Sequence, residues 1–171
     1  MKKRAKKRAT GSKRTRPITR EQVDYVLQEF HDRNDTRMEI VIHLLFRVIR
    51  IGDVLRTLKK HHIYDAKNRI RDTLEFVEEK TGKKRSLPLK GESFVRALMD
   101  YTPQISSLDA NDPLFFGKIG TPLTDSGVKF LLSQFDGKRG IEQLSPHSLR
   151  KAGSRYMYEN GARIESISAV L

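Results

Sequence analysis

The amino-acid sequence predicts an α+β fold, mainly α, with a small antiparallel β-hairpin or three-stranded sheet at one edge. Two observations carry this expectation. Apolar residues recur at helical spacing over residues 19–58 and again after residue 124. A β-rich pair of segments, residues 73–78 and 85–89, brackets a glycine-containing turn. The 171 residues suffice for one domain with a substantial core and not for two large ones.

Each element has a local reason. Thr19-Arg20-Glu21-Gln22 fits a capping box, and Val23, Val26, Leu27 and Phe30 follow on one face, so a helix is expected from about 19 to 31. Arg33-Asn34-Asp35 breaks it. A second helix should bury Met38, Ile42, Leu45, Phe46 and Ile49, with Arg50-Ile51-Gly52-Asp53 as a small interruption. Val54, Leu55 and Leu58 suggest a short third helix ending in Lys59-Lys60-His61-His62. Thr73–Glu78 and Arg85–Leu89 are the hairpin strands, with Pro88 tolerated only at an edge or a strand end. Phe94, Val95, Leu98 and Met99 mark the next helix. Residues 102–123, with Pro103, Pro113, Gly117, Gly120 and Pro122, read as loop. Thr124 or Asp125 can cap a helix carrying Val128, Leu131, Leu132 and Phe135, which Asp136–Gly140 ends. Ser145-Pro146 starts another helix and Asn160-Gly161 stops it. A last helix from about Arg163 is still apolar at Leu171 and has no C-cap, which points to truncation.

Charge narrows the partner. Lys and Arg number 34 against 21 Asp and Glu, a net charge of +13. This favours a polyanionic partner over an acidic ligand-binding role. Ten of the basic residues lie in residues 1–20, with no acid before Glu21. Residues 1–17 are therefore expected to be a basic, flexible tail or linker. In it Lys2, Lys3, Arg4, Lys6, Lys7, Arg8, Lys13 and Arg14 would neutralise phosphates. A purely solubilising tail would have the same composition. Absence of cysteine excludes disulfides, Cys-based zinc sites and thiol nucleophiles. No apolar run approaches the ~18 residues of a membrane span, so no membrane partner is expected.

P-loop, GxSxG and HExxH motifs are absent. His61-His62 is a tempting metal pair, but neighbours on a helix point in different directions and share no ligand face. His147 and Arg150 are better placed. Three residues apart near a helix start, they share a face beside the free N–H groups of the first turn, a good setting for phosphate. Taken alone, a solvated face is the better explanation of the pair, since His-x-x-Arg is common by chance. Arg50 ends an apolar helix and needs an anionic partner, either Asp53 or a ligand phosphate. Lys80 sits where the strand enters the turn, with Lys83 and Lys84 as rivals for any role there.

The order of these pieces resembles a known family. Arg50 in VIRIGDVLRTL, Lys80 in EEKTGKKRSLPL, and SPHSLRKAGSRYMYENG look like the catalytic domain of the tyrosine recombinases (phage integrases). The opening ITREQVDYVL resembles that family's first catalytic-domain helix. The resemblance covers residues 18–171. It implies a domain that cuts and rejoins DNA through a 3′-phosphotyrosine, as a tetramer on paired double-stranded DNA sites, in a bacterial or phage setting, cytoplasmic and DNA-associated. No metal or nucleotide cofactor is implied, because the phosphotyrosine conserves the bond energy. Arg50 and Arg150 would clamp the scissile phosphate, Asp53 would buttress Arg50, Lys80 would protonate the leaving 5′-hydroxyl, and His147 would assist proton transfer or hold the phosphate. Lys83, Lys84 and Lys151 would add DNA contacts.

Three departures stand out. Val48-Ile49 occupy the place of the family's glycine before the first arginine. Lys151 replaces a frequent His. The segment with the nucleophilic tyrosine would follow Leu171, since Tyr156 and Tyr158 lie too close to Arg150, and one or both should serve packing or backbone contact instead. A non-catalytic DNA-binding remnant or regulator of the same fold is the alternative, and an RNA-binding protein a more distant one.

Overall fold

The computed structural model describes residues 18–170 apart from Lys118. The basic tail, including Lys2, Lys3, Arg4, Lys6, Lys7, Arg8, Lys13 and Arg14, lies outside the described residues. In chain order the elements are α1 (Arg20–Asp32), α2 (Thr36–Phe46), a π-helical turn (Asp53–Thr57), α3 (Lys60–Ile63), β1 (Thr73–Val77), β2 (Lys84–Pro88), α4 (Glu92–Ile105), α5 (Asp125–Ser133), α6 (Pro146–Glu159) and α7 (Ile164–Val170). The sheet among the described residues is the two-stranded hairpin, with Leu74 opposite Leu87 and Phe76 opposite Arg85.

Helix α2 is the axis of the core. Met38, Ile40, Val41, Ile42, Leu44 and Leu45 are all fully buried, so it is apolar on every side, as a helix enclosed by others must be. It packs against α1, α4 and α6. Two polar side chains are buried with it. Glu39 meets His31 at 3.3 Å, and burial pushes its carboxyl above the ordinary range despite that histidine. Burial first, and the Arg47 guanidinium second, push the His43 imidazole down to about 3, so it is neutral.

The expected caps form. Thr19 Oγ1 accepts from the Gln22 N–H at 3.3 Å, and Gln22 Oε1 accepts from the Thr19 N–H at 2.9 Å. Thr124 caps α5 through the Gly127 N–H, and Ser145 caps α6 through Ser148, with Pro146 in the first turn. The Phe30 and Phe135 rings, 5.3 Å apart, tie α1 to the end of α5.

Three boundaries differ from expectation. Helix α2 ends at Phe46 rather than running to Ile49, because the backbone reverses at Val48, which has φ +68°. Ile49 still returns to the core. Residues 51–57 are helical, so Arg50–Asp53 is the start of a helical turn and not an interruption. Helix α4 continues through Pro103 to Ile105, where the loop was expected to begin at 102. Buried Tyr101 and Ile105 hold its last turn on the core, and the Thr102 hydroxyl donates to the Leu98 carbonyl at 3.0 Å.

Candidate functional site

A cleft of about 540 Å³ opens between the Arg50–Arg56 segment, the hairpin turn, α5 and the start of α6. Arg50, Asp53, Lys80, His147 and Arg150 all line it. Five positions spread over a hundred residues of sequence are thus gathered by three devices: the Val48 reversal, the hairpin and the capped start of α6. Lys83 and Lys84 are exposed on the hairpin, and half-buried Lys151 follows Arg150 on α6; none of the three lines the cleft. Arg56, Glu79 and Lys129 do, and the sequence reading did not single them out.

The Val48 reversal presents Arg50. A buried β-branched residue at φ +68° is an uncommon conformation that favours glycine, and this is where the resemblance expects one. The reversal turns the Val48 carbonyl toward α6, where it accepts from Arg150 Nε at 3.3 Å. The carboxylate paired with Arg50 is that of Glu78 rather than Asp53: Arg50 Nη1 donates to Glu78 Oε2 at 2.7 Å. The other oxygen, Oε1, accepts from Arg85 Nη1 at 2.9 Å, and the Thr81 hydroxyl also donates to Oε2. Burial alone would push the Glu78 carboxyl up. The Thr81 hydroxyl and the two guanidiniums outweigh it and hold the group below the ordinary carboxylate range.

Buried Asp53 serves the hairpin. Its Oδ1 accepts from the Glu79 N–H at 2.8 Å and from the Thr57 hydroxyl at 3.2 Å. The Glu79 carboxylate pairs with Arg56 at 2.7 Å. Lys80 is the next residue along and is exposed. A signal for Glu78 was present in the sequence. Strand alternation puts it on the inward face with Leu74 and Phe76, and an acid there needs a partner.

Electrostatically the cleft is short of anions. Burial, then the nearby Arg50 and Arg85, push the Arg150 guanidinium below its usual range, against the pull of Glu78 and Asp53. Burial and the neighbouring Lys151 and Arg150 push the His147 imidazole down as well. An incoming anion relieves this crowding, and the start of α6 supports it. The arrangement suits a phosphate held between two arginines, with a mobile ammonium and an imidazole at its edge.

Elsewhere, His61 and His62 stack with ring centroids 4.0 Å apart, closer than their adjacent helical positions suggested. His62 Nδ1 accepts from the Lys59 N–H, and His61 Nδ1 lies 2.8 Å from the Ala110 carbonyl. No group of three potential His, Asp or Glu metal ligands occurs among the described residues, and no helix among them is long and apolar enough to cross a membrane.

Comparison with known proteins places the fold and the family. Tyrosine recombinase XerC of Staphylococcus saprophyticus is 30% identical over 97 residues, 54% of this chain and 32% of that protein. The crystal structure of XerA recombinase superposes with a TM-score of 0.72 at 23% identity, covering 91% of this chain and 55% of that one. XerH site-specific recombinase, in a pre-cleavage complex bound to difH substrate, gives a TM-score of 0.67 at 17% identity over 91% of this chain and 46% of that one. These superpositions establish a shared fold, and the chain spans 32% of the XerC relative's length. The model of the phage integrase family matches residues 15–171, nearly the whole chain, and the protein belongs to that family.

Proposed function

We propose that this chain is the catalytic domain of a site-specific DNA recombinase that cuts and rejoins double-stranded DNA through a 3′-phosphotyrosine. The observation that carries the reading is the gathering of Arg50, Lys80, His147 and Arg150 on one cleft. Arg50 and Arg150 clamp the scissile phosphate and stabilise charge building on its non-bridging oxygens. A tyrosine nucleophile attacks phosphorus and loses its phenolic proton to a base at the cleft edge, the P–O5′ bond breaks, and Lys80 gives the leaving 5′-oxygen its proton. His147 holds the phosphate or relays a proton, and Asp53 supports Arg50 through the segment between them. Rejoining reverses the exchange with no external energy source. Lys83, Lys84, Lys151 and the basic residues of 1–17 add backbone contacts. Relatives named as recombinases, and a structural neighbour, lambda integrase, bound to DNA, support double-stranded DNA as the partner. A homo-oligomer, a tetramer on paired sites, and a cytoplasmic, DNA-associated location follow from the same reading.

Covalent trapping tests it. The full-length native protein, incubated with a pool of nicked duplexes, is expected to yield a detergent-resistant protein–DNA adduct that Arg150→Ala abolishes. DNA binding with no adduct under any condition contradicts cleavage and leaves a non-catalytic DNA-binding protein.

A further inference from the structure

We infer that Glu78 is a positioning residue that locks Arg50 and the turn carrying Lys80 into one rigid frame, so that both meet the same phosphate. This rests on reading the cleft as a phosphate site. Glu78 is 4% exposed, and every polar group it has is engaged. Its N–H donates to the Lys83 carbonyl and its own carbonyl accepts from the Gly82 N–H, both at 2.9 Å, which closes the turn around Lys80. Its carboxylate then spans two guanidiniums. Arg85, 7% exposed, belongs to the strand itself, and Arg50 belongs to the cleft. Arg85 on one oxygen and the Thr81 hydroxyl on the other would satisfy a purely structural carboxylate. The second oxygen ties the strand to a cleft arginine instead.

The other links between the hairpin turn and the Arg50–Arg56 segment differ in kind. The Arg56–Glu79 pair is largely exposed, where ion pairs hold geometry weakly. The Asp53–Glu79 bond fixes backbone and does not touch Arg50. Glu78 is therefore the buried ionic tie from the turn to Arg50, two residues before Lys80. A neutral side chain here removes the charge that both guanidiniums face and weakens the tie between the turn and Arg50.

A double-mutant cycle on duplex-DNA affinity tests this, with Lys80→Ala measured in the native chain and in Glu78→Gln. In the native chain Lys80→Ala is expected to weaken binding roughly three- to fivefold, as for one exposed charged contact. In Glu78→Gln the same substitution is expected to change affinity by less than about 1.5-fold, because an unfixed Lys80 no longer meets the phosphate. Lys83→Ala serves as the control and should cost the same in both backgrounds. Glu78→Asp, which keeps the charge and shortens the reach, replaces the Gln variant if the latter fails to fold. Equal losses for Lys80→Ala in both backgrounds overturn the positioning role. Binding that is indifferent to both Arg150→Ala and Lys80→Ala in the native chain overturns the phosphate cleft itself, and the inference falls with it.

Discussion

A Cβ placed on Gly153 would run into the carbonyl oxygen of Phe46, so α6 crosses the end of α2 at a distance only glycine permits. Phe46 lies four residues before Arg50, and Gly153 lies three after Arg150. This crossing therefore sets how far apart the two arginines stand. The obstructing atom is backbone at the end of a buried helix and cannot swing aside. Gly153→Ala is expected to destabilise the chain by about 1–3 kcal/mol or more, as overpacking does. Urea unfolding measures it; an unchanged midpoint contradicts the tight crossing.

Asp53 fastens the hairpin turn through the Glu79 N–H at 2.8 Å. Removing the carboxylate leaves that amide without its charged acceptor, a bond worth about 1.5–3 kcal/mol. In Asp53→Ala, hydrogen exchange at the Glu79 amide is expected to speed up by about tenfold or more, while the amides of α1 exchange as before. Equal protection of Glu79 in both proteins contradicts the role assigned to Asp53.

His43 predicts acid sensitivity. Its imidazole sits near 3 in the folded chain against 6.5 when unfolded, because burial and Arg47 oppose its charge. Between those values the unfolded chain binds a proton that the folded chain does not, so stability falls as pH falls below 6.5. At pH 5 the loss from this group is about 2 kcal/mol. Above pH 7 the contribution is flat. The difference in stability between the native chain and His43→Gln, followed from pH 7.5 to 5, should therefore shrink toward acid. Parallel curves contradict a buried neutral His43.

These consequences were unevenly legible in the sequence. The caps at Thr19, Thr124 and Ser145 and the hairpin pairing Leu74 with Leu87 are local, and residue type with spacing suffices to place them. The convergence of Arg50, Lys80, His147 and Arg150 was legible only through family resemblance, since no local rule joins positions a hundred residues apart. The Val48 reversal ran against its own residue type: a β-branched side chain argues for continued regular structure, and tertiary packing overrode it. Pro103 misled in the same way, because burial of Tyr101 and Ile105 keeps the helix going past it. Glu78 closes the β1 pattern, and its inward register demands a partner. Arg85 answers it from the neighbouring strand, whereas Arg50 comes from a distant segment and could be found only by folding the chain.

On the proposed reading, the cleft between Arg50 and Arg150 holds a DNA phosphate. Its most direct test is the salt dependence of duplex-DNA affinity for the native chain and for Arg150→Ala. The native chain should show a steep negative slope of log affinity against log salt concentration. Arg150→Ala should weaken binding and flatten that slope by about 0.9, the share of one phosphate contact. An Arg150→Ala protein that keeps its fold, its affinity and its slope would mean that DNA does not enter the cleft.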